Sequence, residues 1–432
     1  MPMIHDGGGA AHTPAAGRTP AGHMPAGRAS AGHAPAPHMP ALPSLTLALA
    51  SQSPARLATL RAAGVEPLVQ VSHVDEDALL ARVHGGPSQG VLALAAAKAR
   101  DVAATPGPAQ RADFVVGCDS MFEFEGEVYG KPHSPEVARE RLARMSGNSG
   151  ILHTGHCLVH VPSGRSLAGI SRAKVTFAHL SEAEIEAYIA TGEPLEVAGS
   201  FTADGLGGPF IDRLEGDYHG VVGISLPLLR SLVEHLGLSF TQFWAKPARP
   251  ALGVLPEAAQ RFLADSHHGT VHHGADGFLL CGCGKRHWGM NGAAGIAAFR
   301  RHAGRIQILL QHRSPWSHGG ATWAFPGGAR EWDEEPWEGA LREFTEETAL
   351  APTDLRRGGE LTTAHADWSY TSFVARCRDG LEAVADGESM ELRWVNVENV
   401  TSYPLLPSFA ATWPQVRELA RTTLDWNDGA RG

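Results

Sequence analysis

The sequence predicts two domains in series, one α/β and one α+β, behind a tail without regular structure. Three observations predict this. Two strand–turn–helix units recur far apart, one near residue 50 and one near residue 330. The chain has 432 residues and is 43% apolar, which at roughly 100–200 residues per domain supports two or three domains. Its first 43 residues show neither the period of a strand nor that of a helix.

Residues 1–43 are almost entirely Ala, Gly, Pro, His, Met, Thr and Arg. Such a segment has little to bury against its chain entropy, so disorder is expected. His5, His12, His23, His33 and His38 offer at most loose metal chelation.

The first domain is expected over 44–246. Leu45–Ala50 reads as a buried strand. Ser51-Gln52-Ser53-Pro54 turns into a helix that carries Leu57, Leu60 and Arg61 and stops at Gly64. Ser53 suits the N-cap, Pro54 the first turn and Gly64 the end. Such a turn aims backbone N–H groups at one point and makes an anion site, with Arg56 at hand for a phosphate. A second strand, Phe114–Gly117, is expected to end at Cys118-Asp119-Ser120, with Asp119 where open α/β sheets place their chemistry. Met121–Tyr129 reads as a hairpin, and Gly130-Lys131-Pro132 as a loop holding a lysine for phosphate. His153-Thr154-Gly155, Gly199–Gly208 and Glu215-Gly216-Asp217 read as loops or turns.

Residues 247–289 are expected to link the domains, with a proline-rich start at Pro247–Leu255. Cys281, Cys283 and His287, with His267, His268, His272 and His273, invite a zinc reading. The spacing departs from paired Cys-x-x-Cys sites, so a glycine-rich turn with incidental histidines is preferred.

The second domain is expected over 290–425. Ala293–Arg300 and Ile306–Arg313 read as paired strands, Thr371–Ala375 and Glu391–Val397 as later ones, and Ser408–Leu419 as a closing helix. Trp323, Trp368 and Tyr370 are candidates to stack on a base. Thr322–Phe325 leads into Pro326-Gly327-Gly328 and then a helix begun by Pro336. Trp337, Leu341 and Phe344 give that helix an apolar stripe. Glu343, Glu346 and Glu347 share one narrow arc of it, because residues three and four apart are neighbours. Like charges so close call for a hard divalent cation with oxygen ligands, Mg²⁺ or Mn²⁺. Arg342 precedes Glu346 by four and is expected to hold it in one rotamer.

This segment resembles the Nudix signature. Gly328, Glu334, Arg342, Glu343, Phe344, Glu346, Glu347 and Leu350 match it, and Ala349 stands where the family has glycine. Alanine closing a helix in the left-handed conformation costs about 1 kcal/mol. The resemblance implies an α/β/α sandwich and hydrolysis of a nucleoside diphosphate linked to another group. It implies Glu343, Glu346 and Glu347 as metal ligands, Glu346 and Glu347 as catalytic candidates, and Arg342, Glu334 and Gly328 as orienting residues.

The first domain resembles the Maf family of nucleoside triphosphate pyrophosphatases. The match is carried by Ala50–Arg56, Val74-Asp75-Glu76, Lys98, Gly117–Ser120, Gly130-Lys131-Pro132, His153-Thr154-Gly155 and Glu215-Gly216-Asp217. It implies a mixed α/β fold with a cleft and release of pyrophosphate and a monophosphate from a nucleoside triphosphate, with a divalent metal. Asp119 is implied as base or metal ligand, supported by Glu76. Ser53, Arg56, Lys98, Lys131 and Asp204 are implied to hold substrate. Ala55, Val197 and Asp204 depart from common family residues.

A net charge of −10 disfavours nucleic acid or an anionic membrane as partner. No run of 18 apolar residues or secretory signal is found. Five cysteines spread over the chain imply no disulfide framework. The expected protein is a cytoplasmic, bifunctional nucleotide hydrolase, with homodimerisation possible. The alternative is a nucleotide sensor with one silent domain, for which Ala349, Val197 and Asp204 speak.

Overall fold

The computed structural model describes residues 44–245, 257, 259–260, 274–314, 320–385 and 389–426. The expected disordered tail and the Pro247–Leu255 linker lie outside the described residues. The first domain runs β1 (Leu47–Leu49), α1 (Pro54–Ala62), β2 (Leu68–Val69), α2 (Glu76–Leu80), α3 (Pro87–Ala104), β3 (Phe114–Phe124), β4 (Glu127–Tyr129), α4 (Pro135–Met145), β5 (Ser149–His160), β6 (Ser166–Phe177), α5 (Glu182–Ala190), β7 (Ile211–Gly216), α6 (Tyr218–Val222) and α7 (Leu226–His235). A hairpin of β8 (Phe278–Leu280) and β9 (Arg286–Trp288) follows. The second domain runs β10 (Ala293–His302), β11 (Arg305–Arg313), β12 (Trp323–Ala324), β13 (Gly327–Ala329), α8 (Pro336–Thr348), β14 (Leu355–Ala364), β15 (Ser369–Cys377), β16 (Ser389–Asn396) and α9 (Pro407–Thr423).

Among the described residues the first sheet has the order β2-β1-β3-β5-β6-β8-β9, with β4 on β3 and β7 on β6. It is mixed: β1 runs parallel to β2 and β3, whereas β3, β5 and β6 are successively antiparallel. Strand alternation decides which core each residue enters. Phe114, Val116 and Cys118 join a core with Leu60 and Leu229, while Val115 joins the one under α3. Gly117 and Asp119 continue that second face. The long strands then carry Phe122, Leu152 and Val175 into a separate core with Leu142 and Tyr188. Asp119, Ser120 and Thr154 therefore sit at the waist between two lobes.

Helix α3 is built to approach this sheet closely. Its stretch Ala93, Ala95, Ala96 and Ala99 is fully buried, and glycines face it. A methyl group added at Gly117 would lie 2.3 Å from the Ala95 carbonyl oxygen, and one at Gly155 2.3 Å from that of Val91. The close approach is what brings Lys98 onto Asp119. Gly117→Ala is expected to lower first-domain stability by about 1–3 kcal/mol through overpacking, read as a lower urea midpoint for that domain's transition.

Several expectations are corrected here. Phe114–Gly117 and the first arm of the Met121–Tyr129 hairpin form one strand, β3, so Asp119 is mid-strand. The reason is pairing: β5 accompanies β3 from Phe114 to Glu123. His153-Thr154-Gly155 is not a loop but the middle of β5, paired on both sides. In Glu215-Gly216-Asp217, the first two residues end β7 and Asp217 caps α6. Within the expected linker 247–289, β8 pairs parallel to β6, so this stretch extends the first sheet. β14 was not foreseen, because as a mostly exposed edge strand it lacks apolar alternation.

The second sheet has the order β12-β11-β10-β15-β14, with β13 on β10 and β16 on β11. Ala294, Ile296 and Ala298 face Phe344 of α8, whereas Ala297 and Phe299 face Trp413 and Val416 of α9. One helix on each face gives the expected α/β/α sandwich. Among the described residues no helix is long and apolar enough to cross a membrane.

Candidate functional sites

At the waist of the first domain, β1 stops opposite Val116. Beyond that point β3 has no β1 beside it, and the turn into α1 fills the edge. The Ser53 hydroxyl accepts the Arg56 N–H at 3.4 Å and caps α1, as expected. The Arg56 side chain crosses the waist: Nε donates to the Gly223 carbonyl at 2.9 Å, Nη1 to Ser51 Oγ at 3.2 Å and Nη2 to Ser120 Oγ at 3.4 Å. Lys98 Nζ bridges Asp119 at 2.6 Å and Glu76 at 2.9 Å. Burial pushes the Asp119 carboxyl above its ordinary value, while Lys98 and Arg56 pull it back. The Lys98 and Asp119 side chains are only 10% and 13% exposed, against 51% for Glu76, so the cluster opens to solvent on the Glu76 side.

Thus Asp119, Glu76, Lys98, Arg56 and Ser53 converge. Lys131 and Asp204 do not join them: both are exposed, in loops after β4 and before β7. Glu193 organises the Asp204 loop by accepting from Tyr188 Oη, Thr202 Oγ1 and the backbone N–H groups of Leu206 and Gly207. His156 was also missed. It is fully buried, with Nε2 accepting the Ser225 N–H at 2.7 Å, and burial lowers its pKa to about 4. It is a neutral tie between β5 and α7. No local signal marks it, since its partner is 69 residues away.

In the second domain the β13 glycines lead into α8. A methyl group at Gly328 would lie 2.3 Å from the Glu343 carboxylate, so glycine is what lets that side chain cover the backbone. Glu343 and Glu347 are held inside, while Glu346 is 61% exposed. Gln311 Nε2 donates to Glu347 at 2.7 Å and the Gly327 N–H donates at 2.9 Å. Gln311 had no signal in the sequence, as it lies on β11 and meets Glu347 only through the sandwich. Burial first, and neighbouring carboxylates second, push Glu343 up to about 7 and Glu347 up to about 8.

The expected role of Arg342 is corrected in emphasis. Its firmest partner is Glu334, which takes Nε at 2.7 Å and Nη2 at 3.0 Å. Nη1 donates to Glu343 at 2.8 Å and reaches Glu346 only at 3.3 Å. The guanidinium fork matches the Glu334 carboxylate in two parallel bonds, which outcompete a single long one. Ala349 ends α8 at φ 56°, the left-handed conformation expected there. Ala349→Gly is expected to stabilise the second domain by about 0.5–1 kcal/mol, measured as a raised melting temperature. All three base-stacking candidates pack against neighbouring side chains. Trp323 is buried against His312, and Trp368 packs on His287 while donating to the Trp288 and Gly289 carbonyls. Tyr370 also lies inward, against Phe325.

The donor set fits a hard divalent cation. Buried carboxylates with raised proton affinity, backed by oriented amide donors, are destabilised as bare anions and relieved by a cation.

Two family models match the chain. The family model for Maf-like protein matches residues 46–236 and that for the NUDIX domain matches 290–417. A nucleoside triphosphate pyrophosphatase of Nocardia farcinica is 51% identical over 210 residues, 47% of this chain and 99% of the relative. A crystal structure of a Nudix hydrolase from M. smegmatis is 39% identical, covering 35% of this chain and 99% of that one, with TM-score 0.34. The chain belongs to the Maf and Nudix families, one in each domain. The same pairing occurs in a nucleoside triphosphate pyrophosphatase/Nudix hydrolase fusion protein of Bifidobacterium longum, 46% identical over 324 residues and 72% of this chain. The match spans 65% of that relative's length. The Asp119 waist falls within the Maf-like match, and the carboxylate face of α8 within the NUDIX match.

Proposed function

We propose that the chain is a bifunctional, cytoplasmic nucleotide hydrolase. Its Maf domain splits a nucleoside triphosphate into a monophosphate and pyrophosphate. Its Nudix domain hydrolyses a nucleoside diphosphate linked to another group. The observation that carries the reading is the pair of acidic centres, each with its own cationic partner: Asp119 and Glu76 on Lys98, and Glu334, Glu343 and Glu346 on Arg342.

In the Maf domain, Lys98, Arg56 and the first-turn N–H groups of α1 offset the charge of the triphosphate, and Ser53 orders that turn. Asp119 would accept a proton from the attacking water, or would hold a cation beside the phosphates, with Glu76 at its side. Lys131 and Asp204 take substrate from the two flanking loops. In the Nudix domain Glu343, Glu346 and Glu347 would hold Mg²⁺ or Mn²⁺, which when bound would supply a Lewis acid for a phosphoryl oxygen and acidify water. Arg342, clamped by Glu334, keeps Glu343 and Glu346 in place. Gln311 and the Gly327 N–H fix the rotamer of Glu347 and leave its exchangeable proton as what a cation must displace. Catalysis of this kind rests on positioning and charge compensation.

The test is a panel of nucleoside triphosphates and dinucleoside or sugar-linked diphosphates, run on the full chain with magnesium and resolved by product. Pyrophosphate from triphosphates and a nucleoside monophosphate from linked diphosphates are expected. Binding without either product would replace this reading with that of a nucleotide sensor.

A further inference from the structure

The hairpin β8–β9 carries a second, softer donor set. Leu279 and His287 are directly opposed across it, so they share a face, and Cys281 lies two residues beyond Leu279 on that same face. The turn is closed by the Cys281 N–H donating to the Lys285 carbonyl at 3.0 Å and the Gly284 N–H donating to the Cys281 carbonyl at 2.9 Å. It thereby folds Cys283 back over the hairpin. Cys283 Sγ lies 3.2 Å from His287 Nε2, and the three donor atoms of Cys281, Cys283 and His287 fall within 4.8 Å of one another. Tetrahedral zinc, with Zn–S about 2.3 Å and Zn–N about 2.0–2.1 Å, asks for donors roughly 3.5–3.8 Å apart.

The surroundings hold the donors in place. The Asp367 N–H donates to Cys281 Sγ at 3.4 Å and ties that side chain to the neighbouring turn. The Asp367 carboxylate accepts the Gly282 N–H at 2.6 Å and also pairs with Arg172. Trp368 stacks on the His287 ring at 4.4 Å and fixes its orientation, as groups around metal-bound histidines do. Cys118, Cys157 and Cys377 are all buried and take no part.

We propose that Cys281, Cys283 and His287 bind a thiophilic divalent ion of the zinc class, with the fourth position open to water. Two thiolates and an imidazole select against Mg²⁺ and Mn²⁺, so this site is chemically separate from the carboxylates of α8. Its place gives it a task. The hairpin belongs to the Maf sheet through the β6–β8 pairing, whereas Asp367 and Trp368 belong to the turn between β14 and β15 of the Nudix domain. The ion would rigidify the hairpin against which Asp367 and Trp368 of the Nudix domain pack. The separation of Cys281 and Cys283 by one residue argued against zinc in the sequence; the hairpin supplies the missing geometry by returning His287 to their side.

The experiment is zinc content of the full chain after passage over a chelating resin, for the natural chain and for Cys283→Ser and His287→Ala. One zinc per chain is expected for the first and none for the variants, and Glu346→Gln should keep its zinc. The histidine-rich tail is present in all four proteins, so it cancels in the comparison. Cys283 is exposed, so its replacement does not disturb a core. Cobalt(II) alone serves as the second probe: near-ultraviolet thiolate-to-cobalt bands are expected in the natural chain and are to be lost in Cys283→Ser. Equal zinc in the natural chain and Cys283→Ser, or cobalt bound without thiolate bands, would overturn the proposal.

Discussion

Asp119→Asn is expected to lower Maf-domain turnover by roughly 10²–10³-fold while leaving Nudix-domain turnover within about threefold of its natural value. The substitution is nearly isosteric, and Lys98 keeps Glu76 at 2.9 Å. The buried ammonium is therefore not stranded, and the loss reports on chemistry rather than unfolding. What disappears is the one buried carboxylate at the waist, able to take a proton or hold a cation beside the phosphates. Glu346→Gln should do the reverse. Glu346 is 61% exposed, so the change perturbs no packing while removing one proposed ligand of the α8 centre. Product-resolved assays of both variants on triphosphates and on linked diphosphates decide the matter. If either variant silenced both activities together, two independent sites would be the wrong description.

The second large effect is on pH. With Glu343 at about 7 and Glu347 at about 8, both above the ordinary 4.5, the folded metal-free Nudix domain binds more protons than its unfolded chain between about pH 4.5 and 8. Stability of the metal-free protein therefore falls as pH rises through that window, by on the order of a few kcal/mol. Magnesium must displace those protons, so its affinity rises over the same range. In chelator the melting temperature of the Nudix domain should drop between about pH 5.5 and 8.5, and magnesium should restore it at the upper end but not at the lower. Glu347→Gln, which stays neutral, should flatten the drop. A flat profile in chelator, or an unchanged slope in Glu347→Gln, would mean that the two carboxylates are ionised throughout and need no cation.

The two sites were legible in the sequence to different depths, and the reason is the range over which each is assembled. The α8 centre is local. Residues three and four apart on one helix are neighbours whatever the rest of the chain does, so Glu343, Glu346 and Glu347 declared themselves, as did the Ser53 cap and the left-handed Ala349. The Arg342 fork was harder. Sequence spacing pointed to Glu346, but the folded loop delivers Glu334, eight residues back, in better geometry. At the Maf site resemblance named Asp119, Lys98 and Glu76, while the strand around Asp119 was read too short because its length comes from pairing with β5.

By itself the sequence determined the two strand–turn–helix units, the acidic arc of α8 and the two-domain order, since these follow from backbone periodicity and side-chain spacing along the chain. Only the tertiary structure decided that Lys98 lies between Asp119 and Glu76, that Gln311 braces Glu347, and that Cys281, Cys283 and His287 meet against Asp367 and Trp368. Those contacts join residues brought together by sheet register and helix packing, and neither has a signature in the spacing of the residues it brings into contact.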